Sequence, residues 1–203
     1  PHSCACYIQS KLSGFWALAS TRPSTVAVAN DTQRLERGPA FEAMLSETSN
    51  STSGPDDSWP TFRHDPARTG RTVSSVPADL QIAWQANIGG RVTSPVIAEQ
   101  TLLISAIDAR TIHAIDASTG EPKWHRAVGG RVDSPPTISQ GRAVFGCADG
   151  SVYCLSLADG ELIWRFRAAP ADRRTLAFDQ LESIWPVTGS VLVREGTVYC
   201  TAG

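Results

Sequence analysis

The residues with chemistry to offer are few and scattered. His2, Cys4 and Cys6 alternate at the start of the chain. In an extended segment they share one face, because strand side chains alternate with period two, and three soft donors on one face could take a metal. Structural zinc sites leave two to four residues between cysteines, and no fourth ligand follows here. Metal capture, a redox or disulfide role and ordinary strand packing therefore all stay open for Cys4 and Cys6. Cys147, Cys154 and Cys200 sit inside apolar runs and read as small buried side chains. His64-Asp65 has the form of a metal-dependent phosphohydrolase dipeptide, but no partner His-Asp set follows it. His113 and His125 fall on different strands of one unit, and neither has a ligand partner at a recognised spacing. No Gly-x-Ser-x-Gly elbow is present. The residues thus assign no catalytic group and no metal.

Composition narrows the classes further. The chain has 203 residues, 41% hydrophobic and 19% charged, with 18 basic against 20 acidic residues for a net charge of -2. Such a chain builds a core, and it lacks the clustered basic charge of a nucleic-acid or anionic-membrane binder. No apolar run approaches the roughly 18–20 residues that span a bilayer. Residues 1–20 are apolar and aromatic and read as the end of an upstream segment. Residues 21–58 read as a linker. They hold one short helix expected from Pro39 to Leu45, with Phe41, Met44 and Leu45 on one face, and then a polar run from Ser46 to Ser58. From Trp59 onward, short Val-, Ile- and Leu-rich runs alternate with Gly, Asp, Ser and Pro, the texture of an all-β domain over 59–203.

The elements that must position any site come from a repeat. Trp84, Trp124 and Trp164 recur every forty residues. Gly89-Gly90-Arg91-Val92 returns as Gly129-Gly130-Arg131-Val132, Ser94-Pro95 as Ser134-Pro135, and Gly120-Glu121 as Gly160-Glu161. A period of about forty with several short strands per unit is the signature of a β-propeller. Each unit reads as four antiparallel strands; in the first they fall near 94–98, 102–107, 111–116 and 122–126. Asp116 can accept backbone amides in an Asx-turn, and Gly120 supplies the positive φ that closes the hairpin; Ser156 and Gly160 take these places in the next unit. Gly196 stands 55 residues after its counterpart Gly141. About fifteen residues are therefore inserted within 168–188, carrying Arg173, Arg174, Asp179, Glu182 and Trp185. Long loops on rigid scaffolds concentrate binding groups, so these five form a candidate contact loop; the alternative is a loop that only covers a blade edge.

Ala114-Ile115-Asp116-Ala117-Ser118-Thr119-Gly120-Glu121-Pro122-Lys123-Trp124 resembles the tryptophan-docking motif, A-x-D-x-x-T-G-x-x-x-W, of pyrroloquinoline-quinone (PQQ)-like propeller repeats. Cys154 to Trp164 is a looser copy, and Trp59 to Gly70 resembles the segment that often opens such propellers. The resemblance implies an all-β, quinoprotein-dehydrogenase-like β-propeller with Trp84, Trp124 and Trp164 packed between blades. A buried Trp removes about 150–250 Å² from water, worth about 4–6 kcal/mol as an upper value. The stretch Pro1 to Tyr7, with Gly14-Phe15-Trp16-Ala17-Leu18, is similar to the segment before the propeller in large multidomain, planctomycete-type bacterial proteins of this group. With about three to three and a half units in view, against about four to eight blades in closed propellers, the expectation is a window onto a larger protein.

Two functions follow from the resemblance. One is a non-catalytic scaffold that binds protein partners, as in outer-membrane-assembly propellers, exported to the periplasm or cell envelope and flanked by further domains. The other is part of a quinoprotein oxidoreductase, which needs PQQ, a calcium ion on oxygen ligands and a carboxylate base. No vicinal Cys-Cys pair of the dehydrogenase kind exists here. The expectation for this segment is no cofactor.

Overall fold

β-Branched and aromatic runs cut by tight turns fold into short antiparallel strands. A computed structural model describes residues 31–46 and 58–203; His2, Cys4 and Cys6 lie outside them. Helix α1 (Asp31–Arg34), strand β1 (Leu35–Arg37) and helix α2 (Phe41–Ser46) come first. Blade I is β2 (Val96–Ala98), β3 (Thr101–Ala106), β4 (Thr111–Asp116) and β5 (Pro122–Ala127). Blade II is β6 (Thr137–Ser139), β7 (Arg142–Gly146), β8 (Ser151–Ser156) and β9 (Leu162–Arg167). A hairpin of β10 (Arg174–Ala177) and β11 (Gln180–Ser183) follows, then the first two strands of a third unit, β12 (Leu192–Arg194) and β13 (Thr197–Tyr199). Blades I and II are four-stranded antiparallel meanders in sequence order. The architecture is an incomplete β-propeller.

The core lies between stacked blades. Val96, Leu103, Ile112 and Ala114 of blade I pack against Val132, Ala143, Phe145, Tyr153 and Leu155 from the opposing side. The other face of blade II, with Val144, Val152 and Cys154, packs against Val187 and Val191 of the third unit. The first turn of each unit holds two residues at positive φ: Glu99-Gln100 (50° and 55°), Gln140-Gly141 (52° and 70°) and Glu195-Gly196 (51° and 74°). That is the primed turn whose twist matches the strands it joins.

The stretch before Trp59 holds more structure than the single helix expected there. β1 adds a fifth strand to the outer edge of blade II, pairing Leu35 with Phe166 and Arg37 with Trp164. This covers backbone groups that an outer strand would otherwise leave open. Gly38 then donates its amide to Ile163 O at 2.8 Å. A Cβ on Gly38 would stand 2.0 Å from Leu162 O, so only glycine allows this approach. The helix expected from Pro39 to Leu45 runs from Phe41 to Ser46. Phe41 and Met44 pack against the blade II core, but Leu45 does not join them and is 63% exposed. Cys147 and Cys154 are buried, whereas Cys200 lies just past β13 and is exposed, a correction to its reading as a core side chain.

Candidate functional site

Trp124 reaches from blade I to blade II. Its Nε1 donates to Leu157 O at 2.8 Å, and its ring lies against Gly160, where a Cβ would come within 2.6 Å of the indole. Trp84 meets blade I in the same way: Nε1 donates to Ala117 O at 3.0 Å, and a Cβ on Gly120 would come within 2.7 Å of the ring. Gly120 and Gly160 have positive φ, 77° and 73°, so turn closure and ring contact make the same demand. Asp116 organises the first turn. Its Oδ1 accepts from the amides of Ser118 (3.0 Å) and Thr119 (3.1 Å) and from the Ser118 hydroxyl (2.6 Å). The Ser118 hydroxyl above all, then these two amides, hold its carboxyl down at about 2. In blade II no amide bond to the Ser156 hydroxyl replaces this. Instead Asp159 Oδ1 accepts the Glu161 amide at 3.0 Å, as Thr119 Oγ1 accepts that of Glu121 at 3.2 Å. Trp164 meets no such turn among the described residues. It lines a 380 Å³ apolar recess with Leu35, Phe41, Met44, Val152, Phe166 and Val198.

The opening segment is a clamp along the inner edges of three successive units. Trp59 exchanges backbone bonds with Ile97 of β2 (2.7 and 2.9 Å), and Pro60 O accepts Ile138 N of β6 at 2.7 Å. Thr61 and Thr137 share a hydroxyl bond of 2.8 Å, and Thr137 Oγ1 donates to Val191 O at 3.0 Å. Arg68 then donates to Phe62 O at 2.7 Å and, from Nη2, to Ser190 O and Val191 O at 3.1 and 3.2 Å. Burial lowers its pKa, opposed by the nearby Asp65. His64-Asp65 serves this turn: Asp65 Oδ1 accepts the Thr69 amide at 3.2 Å, and Oδ2 accepts the Thr69 hydroxyl. Nothing in the sequence pattern had singled out Arg68.

The insert is a hairpin at the end of the blades that carries the β3–β4 and β5–β6 connections. Its tip, Phe178-Asp179, has φ of 50° and 58°. One side is anchored. Glu182 is 3% exposed and takes Arg131, itself 5% exposed, through both carboxylate oxygens. Arg131 also donates to Asp133 at 2.6 Å and lies 4.1 Å from the Phe178 ring centroid. Gln180 Nε2 donates to Asp108 O at 3.1 Å. The other side is open: Leu176 and Leu181 pair across the hairpin and are 79% and 54% exposed, and Phe178 is 70% exposed. Of the five expected contact residues, Arg173, Arg174 and Asp179 are exposed and Trp185 is half-buried. Arg174 pairs with Asp172 at 3.0 Å, and Glu182 is internal. The apolar trio was missed; it comes into view only when the hairpin register is known. Arg131 had a signal, the repeated Gly-Gly-Arg-Val, because Arg91 at the matching place binds Asp108 in two-pronged fashion (2.9 and 2.6 Å).

His113 and His125, expected on different strands of one unit, are direct cross-strand partners with ring centroids 6.0 Å apart. Burial, then the neighbouring His125, lowers the His113 pKa. Among the described residues no three His, Cys, Asp or Glu side chains converge as a metal would need.

A family model described as outer membrane protein assembly factor BamB matches residues 63–184. No curated protein matches significantly. The fold is similar to quinohemoprotein alcohol dehydrogenase from Comamonas testosteroni, with a TM-score of 0.57 and 22% identity over 81% of this chain and 26% of that one. It is likewise similar to the quinohemoprotein alcohol dehydrogenase ADHIIG of Pseudomonas putida HK5, with a TM-score of 0.55 and 14% identity over 83% and 25% of the two chains. BamB from Moraxella catarrhalis aligns at a TM-score of 0.42 and 17% identity over 60% and 50%. The chain thus spans about a quarter of the length of these dehydrogenases. The match over residues 63–184 and the propeller architecture place the chain in the PQQ-like repeat family described as outer membrane protein assembly factor BamB.

Proposed function

We propose that this segment is a non-catalytic propeller scaffold whose β10–β11 hairpin docks a protein partner. One observation carries the reading: the hairpin is fixed on one side by the Arg131–Glu182 pair and displays Leu176, Phe178 and Leu181 on the other. A rigid mount under an exposed apolar face is the usual form of a binding element. The docking tryptophans Trp84, Trp124 and Trp164 serve in this reading as staples between blades. The family description, an assembly factor for outer membrane proteins, supports a protein partner and an extracytoplasmic location. No helix among the described residues is long and apolar enough to cross a membrane. No cofactor is proposed for this segment.

The test is a pull-down with the full-length protein and its Leu176→Asp/Leu181→Asp variant, compared at equal melting temperature. The variant should lose a partner that the parent recovers; an unchanged set of partners ends the reading. The alternative, a quinoprotein oxidoreductase, rests on a fold likeness below 25% identity. Saturable binding of quinone with Ca²⁺, together with dye-linked alcohol or sugar oxidation, would establish it instead.

A further inference from the structure

Blade II carries arginine and aspartate at places where blade I carries neither. Shifted by the forty-residue period, Arg167, Arg165 and Asp149 fall on Ala127, His125 and Ala109. The strand pairings match there. Arg167 lies opposite Ser151 as Ala127 lies opposite Thr111, and Arg165 lies opposite Tyr153 as His125 lies opposite His113. Both blades form the same four-stranded meander, so the fold does not need these charged side chains.

They line a recess of 190 Å³ at the outer edge of blade II. Segment 31–37 brings Arg34 and Glu36 to it, and the stretch entering the hairpin brings Asp172 and Arg174. Four guanidiniums thus meet three carboxylates, which leaves one positive charge in excess. Two pairs are internal: Arg165 with Glu36 at 2.5 Å and Arg174 with Asp172 at 3.0 Å. Asp149 is held by neutral donors, the Tyr153 hydroxyl at 2.6 Å and the Ser151 amide at 2.9 Å. Arg34 donates to Arg167 O at 2.8 Å and to Ala168 O at 2.9 Å. The Arg167 side chain takes no part in these pairs. Its Nε is buried and meets no acceptor among the described residues. A buried N–H without an acceptor bears its full desolvation cost, and native folds rarely leave one so.

We infer that this recess binds a small tetrahedral oxyanion of phosphate or sulfate type on Arg167, and that the anion fastens β1 to blade II. Guanidinium N–H groups take such oxygens in strong, charge-assisted bonds. The arginines come from three stretches of chain, so an ion with oxygens in several directions suits them better than a planar carboxylate. The volume and the single excess charge admit a small ion, while Glu36 and Asp172 repel a polyanion. Arg34 and Glu36 belong to the segment that carries β1, so the site is complete only with β1 docked. Occupancy therefore stabilises the docked strand by mass action. The site uses none of the hairpin's apolar face and stands apart from the hairpin's partner.

Calorimetric titration of the full-length protein with inorganic phosphate, at ionic strength held constant with chloride, tests it. Saturable binding at millimolar concentration or below is expected, with sulfate competing and acetate much weaker. Arg167→Ala, which installs the residue that blade I already carries, should weaken binding about tenfold or more, the size of one charge-assisted hydrogen bond. Arg126→Ala, on an exposed arginine of blade I, should bind like the parent. In the parent, phosphate should slow amide exchange at 35–37. Glycerol 3-phosphate binding as tightly as inorganic phosphate would identify an ester as the source, and its exclusion the free ion; either supports the site. No saturable binding of phosphate or sulfate would overturn the inference. So would unchanged affinity in Arg167→Ala, an equal loss in Arg126→Ala, acetate binding as tightly as phosphate, or binding that adds no protection at 35–37.

Discussion

Trp124 and Gly160 form one device seen from two blades. The indole needs a flat, Cβ-free surface, and the turn needs positive φ; glycine answers both. Trp124→Ala removes the ring and leaves Leu157 O without its donor, which should cost about 3–5 kcal/mol. For a chain of this size that is a fall of roughly 6–20 °C in melting temperature. Calorimetry of the full-length protein checks it, and an unchanged melting point would refute the staple. Asp116 gives a pH signature. Its carboxyl titrates at about 2 in the folded chain against an ordinary 3.8, so the fold gains from the carboxylate at neutral pH. That contribution is complete above about 3.8 and disappears as pH falls through about 2. Asp116→Ala should therefore melt earlier than the parent at pH 6, with the gap closing by pH 2. A gap that stays constant with pH would assign the effect to the neutral hydrogen bonds alone.

At the level of the element, the insert shows why composition misleads about loops. Glu182 counted as a contact residue because charge in a long loop suggests exposure, yet it is the hairpin's anchor. Glu182→Ala would leave the buried Arg131 guanidinium short of two hydrogen bonds, at a cost of about 3–5 kcal/mol. The hairpin amides should lose exchange protection and the melting temperature should fall, while Arg173→Ala, on an exposed side chain, should change little. Equal effects of the two substitutions would refute the anchor. The hairpin itself was hard to read from sequence. Its tip is Phe178-Asp179 at positive φ, where a hairpin pattern calls for Asn-Gly or Asp-Gly. Leu35-Glu36-Arg37 was hidden for another reason: three exposed residues have no period, and only the open edge of β9 makes them a strand. By contrast the four-stranded blades were legible, because each carries a Gly turn and a Trp at a fixed distance.

At the scale of the whole molecule, stacked blades behave as a series of neighbours, each contacting the next. Face packing and the Trp contacts join blade I to blade II, but neither spans three units. The 59–70 segment does. It bonds to Ile97 of β2 and Ile138 of β6 through its backbone, then to Ser190 and Val191 ahead of β12 through Arg68. Repetition shows where units recur and is silent about a strap that crosses them once, so the forty-residue period could not reveal Arg68. Its guanidinium suits the task because one planar group reaches Phe62 O from Nη1 and two successive carbonyls from Nη2. Arg68→Ala leaves those carbonyls without charged donors, each such bond being worth about 1.5–3 kcal/mol. Arg68→Lys, with a single ammonium, should recover only part of the loss. The damage should be directional: β12 and β13 should gain exchange in the Arg68→Ala protein before β2–β5 do, since blade I keeps its pairing to Trp59. Uniform loosening of all blades, or none, would mean that the strap adds nothing beyond face packing.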